Sequence, residues 1–201
     1  MASSYNDNKE KLLNVAIDLF ATKGFKGTSI RDIARAMGMS ISNIYHYFGN
    51  KEGLLLAILQ RSSQGLVEGL HQISKQDLDP LERFNLLLKA HFSLSVHRRK
   101  ESKIFFLDEE DLAPEGNKIN RRIQLEVLDI YLKELRDLEA AGYVKCRSLK
   151  VLAFNIFGVI NWYMRWYRPE GPLSQEETAE EAISFILHGM LGGSTQMARG
   201  G

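Results

Sequence analysis

The stretch Thr28–Leu54, TSIRDIARAMGMSISNIYHYFGNKEGL, decides the fold. It reads as two short helices joined by a tight glycine turn, followed by the start of a third. Thr28 is placed to N-cap a helix whose apolar face is Ile30, Ile33, Ala34 and Met37. Gly38 stands where that helix must stop, and the left-handed conformation that closes a helix costs glycine nothing. Ser40 caps a second helix that turns Ile44 inward and ends near Phe48. Asn50 caps the third, with Glu52 favourably placed near its N-terminal dipole. Helix, tight turn, helix is the helix-turn-helix arrangement, whose second helix enters the major groove of DNA. With Ile44 and Phe48 assigned to the core, Ser42, Asn43, Tyr45 and His46 are left facing outward. These are short hydrogen-bonding groups and an aromatic, suited to base edges and phosphates.

On either side of this stretch the pattern stays helical. Sustained alternation and Asn-Gly or Asp-Gly hairpin signals are absent, so the fold class is all-α. Apolar periodicity predicts helices near 9–24, 29–37, 41–47, 51–75, 80–98, 101–109, 117–141, 148–167 and 175–191. The polar leader Met1–Asn8 is expected to fray. All four prolines fall between these helices. The division expected is a three-helix head over 1–50 and a larger helical domain over 51–201, with the helix after Asn50 bridging them as a lever.

Composition bounds the function. Of 201 residues, 44% are hydrophobic and ten are Phe, enough for a sizeable core. The net charge is only +1, but residues 1–55 hold seven Lys or Arg against five Asp or Glu. That small basic bias fits phosphate contact without demanding it. The single cysteine, Cys146, excludes an intramolecular disulfide framework and a Cys-rich zinc site. His91 and His97 are not at ligand spacing with any carboxylate partner, so no metal site and no cofactor is expected. His91, Phe92, Phe105 and Phe106 read as core. Neither a signal sequence nor a long apolar run occurs, which points to a cytoplasmic protein with no membrane partner. A Gly-rich phosphate loop, a His-x-x-x-His pair and a nucleophile elbow are all missing, so no enzyme is expected.

The residues Ala16, Leu19, Phe20, Gly24, Phe25, Thr28, Ile33, Ala34, Gly38, Ser40, Ile44, Tyr45, Tyr47, Phe48, Lys51 and Leu54 carry a specific resemblance. Over roughly residues 9–58 the chain resembles the DNA-binding domain of the tetracycline-repressor-like (TetR/AcrR) family of bacterial transcriptional regulators. Ser42 and Asn43 stand where that family often has Gly, which leaves the fold unaffected and bears on the operator sequence. The resemblance implies a repressor that binds a palindromic double-stranded DNA operator as a homodimer and is released by a small-molecule inducer. It implies DNA contacts from Thr28, Ser29, Ser40, Ile41, Ser42, Asn43, Tyr45, His46 and Lys51. Thr28 and Lys51 would contact phosphates, and Ile41 could touch a thymine methyl. It also implies a four-helix dimer interface from the last two long helices, setting two recognition helices roughly 34–36 Å apart or more.

Those last helices are chemically loaded. Val151–Trp166, VLAFNIFGVINWYMRW, is apolar around nearly its whole circumference and must be buried on more than one side. Ala179, Ala182, Ile183, Ile186 and Met190 make a stripe on its companion. The segment NWYMRWYRPEGPLS, residues 161–174, resembles a subgroup of the family that responds to acyl-coenzyme A thioesters and controls fatty-acid or sterol catabolism. An acyl tail would then lie among Phe84, Leu88, Phe92, Phe105, Phe157 and Trp162. Asn161, Arg165, Trp166 and Arg168 would meet its polar half. The plain alternative is core packing with a solvated helix end. Three further readings stay open: a compact aromatic or drug-like inducer, a helical enzyme handling acyl thioesters, and a helical adaptor that no longer binds DNA.

Overall fold

A computed structural model describes residues 2–97, 100, 101, 104, 114–168 and 170–191. Among them are eight α-helices and no strand: α1 (Ala2–Lys23), α2 (Ile30–Met37), α3 (Ile41–Phe48), α4 (Lys51–Ser74), α5 (Pro80–His97), α6 (Pro114–Ala140), α7 (Leu149–Trp166) and α8 (Gln175–Leu191). The helix expected over 101–109 lies largely outside the described residues, as do Phe105 and Phe106.

By packing, the chain forms two compact units, Met1–Gln64 with Arg98–Ile123 and Gly65–His97 with Gln124–Gly201. Helices α4 and α6 each contribute residues to both.

In the first unit, α1 offers Leu12, Leu13, Ala16, Ile17 and Phe20, the repeat of one helical face. Against it lie Phe25, Ile30, Ile33 and Ala34, then Ile44 of α3 and Leu54, Leu55, Ile58 and Leu59 of α4. The Phe20 and Phe25 rings meet edge to face at 5.3 Å. Gly38 closes α2 at φ 63°, and the Met39 N–H donates to the Ala34 carbonyl at 3.1 Å, satisfying an end carbonyl of the helix. Ser40 then caps α3, accepting from the Asn43 N–H at 3.3 Å, and Asn50 Oδ1 caps α4 by accepting from Gly53 N–H at 2.7 Å.

Two local expectations need correction. The cap of α2 is Ser29, not Thr28: its hydroxyl accepts from Asp32 N–H while the Asp32 carboxylate accepts from Ser29 N–H, a reciprocal capping box. And α1 begins at Ala2 rather than near Lys9, because extending a nucleated helix is cheap even for polar residues.

In the second unit α8 packs on α5 and α7. Phe84, Leu87, Leu88 and Phe92 of α5 are buried with Tyr131, Leu135 and Leu138 of α6 and Ala153, Ile156, Ile160 and Tyr163 of α7. A buried ion network ties the elements together. The fully buried Glu134 carboxylate accepts from Arg83 Nε at 2.7 Å, Ser74 Oγ at 2.5 Å and Lys133 Nζ at 3.1 Å. Such a carboxylate stays tolerable only with every partner in place.

The apolar stripe on α8 faces its own unit. Ile183, Ile186 and Met190 are buried within the unit, so they are core rather than an outward surface. The outward apolar residues are Phe185 on α8 and Val151, Phe154, Trp162 and Trp166 on α7.

Candidate DNA-binding face and ligand-recognition residues

Helix α3 turns Ile44 into the core and leaves Ile41, Ser42, Asn43, Tyr45 and His46 exposed, as its spacing predicts. Tyr45 is 48% exposed. Tyr47 and Phe48 are half-buried and pack against the core. The result is a short helix, capped by Ser40, with one apolar anchor and a polar, aromatic outer face. Such a face can donate and accept hydrogen bonds at a base edge.

Around it the candidate phosphate contacts separate into two kinds. Ser29 and Ser40 are exposed caps at helix N-termini, where backbone amides attract anions. Bonds from the Ser29 hydroxyl and N–H hold the Asp32 carboxyl below its usual range. Thr28 is turned inward: its hydroxyl donates to the Gly24 carbonyl at 2.9 Å and its N–H to the Phe25 carbonyl at 3.2 Å. Lys51 is half-buried, and its ammonium donates to the carbonyls of Phe25 and Thr28 at 2.8 and 3.0 Å. Its three N–H groups therefore leave one for any further acceptor. Arg31 and Arg35 of α2 are exposed cations that the sequence reading did not single out; only their charge on a polar face could have flagged them.

The ligand candidates fall into separate groups. Phe84, Leu88 and Phe92 are fully buried. The Phe84 ring lies 6.0 Å from that of Tyr131, and Phe157 lies 4.8 Å from Tyr131 on its other contact. Phe92 meets Tyr163 at 5.0 Å. Trp162 and Trp166 do not join this interior. They pair with each other at 5.4 Å on the outward side of α7, 63% and 55% exposed. Asn161, Arg165 and Arg168 are exposed as well, and Arg168 donates to the Arg165 and Tyr167 carbonyls at the end of α7. Sequence reasoning missed Tyr131 and treated His91 as ordinary core. His91 Nδ1 and the Tyr131 hydroxyl lie 2.8 Å apart, both buried. Burial pushes His91 down to about 4 and Tyr131 up, so both are neutral near pH 7.

Comparison with known proteins agrees with this architecture. The chain is 27% identical over 199 residues to the transcriptional repressor KstR2 of Mycobacterium tuberculosis, covering 94% of this chain and 96% of that protein. The crystal structure of PfmR, a TetR-family transcriptional regulator of Thermus thermophilus, superposes with a TM-score of 0.82 at 27% identity, over 88% of this chain and 97% of that one. The fold is also that of AibR, solved in complex with isovaleryl coenzyme A and operator DNA, with a TM-score of 0.81 at 24% identity over 90% and 98% of the two chains. Residues 12–58 match the family described as bacterial regulatory proteins of the tetR family, and residues 77–190 match the tetracyclin repressor-like C-terminal domain. A helix-turn-helix with its outer face exposed, continued by that C-terminal domain, makes this chain a member of the TetR family of bacterial transcriptional regulators.

Proposed function

We propose that the chain is a homodimeric repressor of a palindromic operator, released by an acyl-coenzyme A. Residues 1–50 bind DNA, and residues 51–201 bind the inducer and hold the dimer. The observation that carries the DNA half is the exposed face of Ser42, Asn43, Tyr45 and His46 on a helix anchored by Ile44. The inducer half is supported by the aromatic interior around Phe84, Phe92 and Phe157 and by the isovaleryl coenzyme A that AibR holds. The protein works on DNA in the cytoplasm and is regulatory rather than catalytic.

The inducer acts only through its difference in affinity between two arrangements of the dimer. Helix α4, whose residues belong to both units, is the element that carries the change toward α3. A coupling of ~1–3 kcal/mol weakens operator binding roughly 5- to 150-fold.

Gel shifts on promoter DNA, titrated with coenzyme A, a free fatty acid and acyl-coenzyme A of increasing chain length, test this. Release should improve with chain length, by about 0.8 kcal/mol per buried methylene, until the interior is full. A compact aromatic inducer is the second reading. It is favoured by the outward position of Trp162 and Trp166, which sets Arg165 and Arg168 apart from the buried phenylalanines. Failure of every thioester and acid to release DNA would leave that reading standing.

A further inference from the structure

Helix α4 ends at Ser74, and α6 holds that residue by both its side chain and its backbone. The Ser74 hydroxyl donates to the Glu134 carboxylate at 2.5 Å, and the Ser74 carbonyl accepts from Lys133 Nζ at 3.2 Å. Both partners are themselves fixed. Arg83 of α5 donates from Nε to Glu134 at 2.7 Å and from its terminal nitrogen to Asp137, which also accepts from Lys133. Ser74, Arg83 and Glu134 are buried. Apolar side chains of similar volume would hold three helices together as well or better, because burying charge costs about as much as such pairs return. What apolar packing lacks is direction. Bonds to one hydroxyl and one carbonyl fix both the rotation of α4 about its axis and its position along that axis.

The other end of α4 lies in the first unit, where Lys51 donates to the carbonyls of Phe25 and Thr28. Between the two grips run 24 residues of continuous helix, a rod about 36 Å long. A rod gripped at both ends transmits one tilt, and a rod gripped at one end transmits a range of tilts. A dimer that reads two half-sites at once needs one tilt, because its own geometry sets the half-site separation it can span. We propose that Ser74, with its partners Glu134 and Lys133, is a positioning residue that sets the operator spacing the dimer accepts. These residues act through α4 rather than by touching DNA. This deepens the reading of a homodimer on a palindrome and rests on it.

Fluorescence anisotropy with three duplexes tests it. They are the operator footprinted on the protein's own promoter, the same operator with two base pairs inserted between its half-sites, and a single half-site. The insertion turns the half-sites by about 70° and parts them by about 7 Å, so a rigid dimer engages only one of them. Wild-type protein should prefer the native spacing about tenfold or more. Ser74→Ala should cut that preference to about threefold or less, while half-site affinity stays within about twofold of wild type. A merely structural role would weaken all three complexes together and keep the preference. Lys133→Met removes the bond to the Ser74 carbonyl from a side chain that is half exposed, and it decides in place of Ser74→Ala if that variant does not fold. A folded variant that keeps the wild-type preference overturns the proposal and leaves the palindrome reading intact. A wild type that binds both spacings alike overturns both.

Discussion

The ammonium of Lys51 stands over the ring of Phe25, 4.1 Å from its centroid, and donates to the Phe25 carbonyl at 2.8 Å. With the second bond to Thr28, this ties the first residue of α4 to the connection between α1 and α2. The helix-turn-helix lies between those two points in sequence, so the clasp fixes the frame on which α3 is presented. Lys51→Met should therefore destabilise the protein by about 1–3 kcal/mol, the cost of removing a charged donor from the carbonyls of Phe25, which keeps the Thr28 N–H, and of Thr28. Operator affinity should fall while its dependence on salt stays unchanged. A log–log salt slope shallower by about 0.9 per half-site would instead mark Lys51 as a phosphate contact. Thermal melts and gel shifts over a salt series separate the two.

Tyr45→Ala should abolish operator binding and leave stability within about 0.5 kcal/mol of wild type. The ring is half exposed and makes no core contact that its neighbour Ile44 does not already supply. Unchanged affinity in a gel shift would remove Tyr45 from the DNA face.

Much of this was legible in the sequence because its punctuation is local. Gly38 between two amphipathic runs, Ser40 before α3 and Asn50 before α4 each fix a boundary through one capping bond. Where two caps stand side by side, as Thr28 and Ser29 do, spacing alone misplaces the boundary by a residue. Only the reciprocal bonds of Asp32 decide it. Periodicity on α8 showed that Ile183, Ile186 and Met190 are buried, but a stripe does not say against what. They face their own unit, and Phe185 faces out. The pairing of His91 with Tyr131 joins residues 40 positions apart, which no local pattern encodes.

That pair predicts a pH signature. His91 titrates near 4 in the folded chain and near its ordinary 6.5 when unfolded. Between those values the unfolded chain holds a proton that the folded chain does not. Stability should thus fall as pH drops from about 6.5 toward about 4, by up to roughly 3 kcal/mol, and gain nothing from His91 above that window. Carboxylates held low, such as Asp32, lose their contribution only near and below the usual 3.8. Urea denaturation from about pH 7 to pH 4.5 should show the slope in wild type and a flatter curve in His91→Phe. Equal slopes would place His91 in contact with water.

The dimer is best probed on the outward faces of the last two helices. Phe185 is 69% exposed, and on α7 Phe154, Trp162 and Trp166 are exposed at four- and eight-residue spacing, with Gly158 between them open to a close approach. Large exposed aromatics on two neighbouring helices suit an interaction site, since a monomer leaves them in water at a cost. A two-fold partner would place the same two helices against themselves. A charge at the buried Ile186 would destabilise the core of the unit whatever the oligomeric state. Phe185→Glu leaves that core untouched. Light scattering at micromolar concentration should report a wild-type dimer and a folded Phe185→Glu monomer. The monomer should bind a palindromic operator at least tenfold more weakly, because each half-site then binds without its tethered neighbour. A monomeric wild type, or a Phe185→Glu protein that remains dimeric, would move the interface away from this surface.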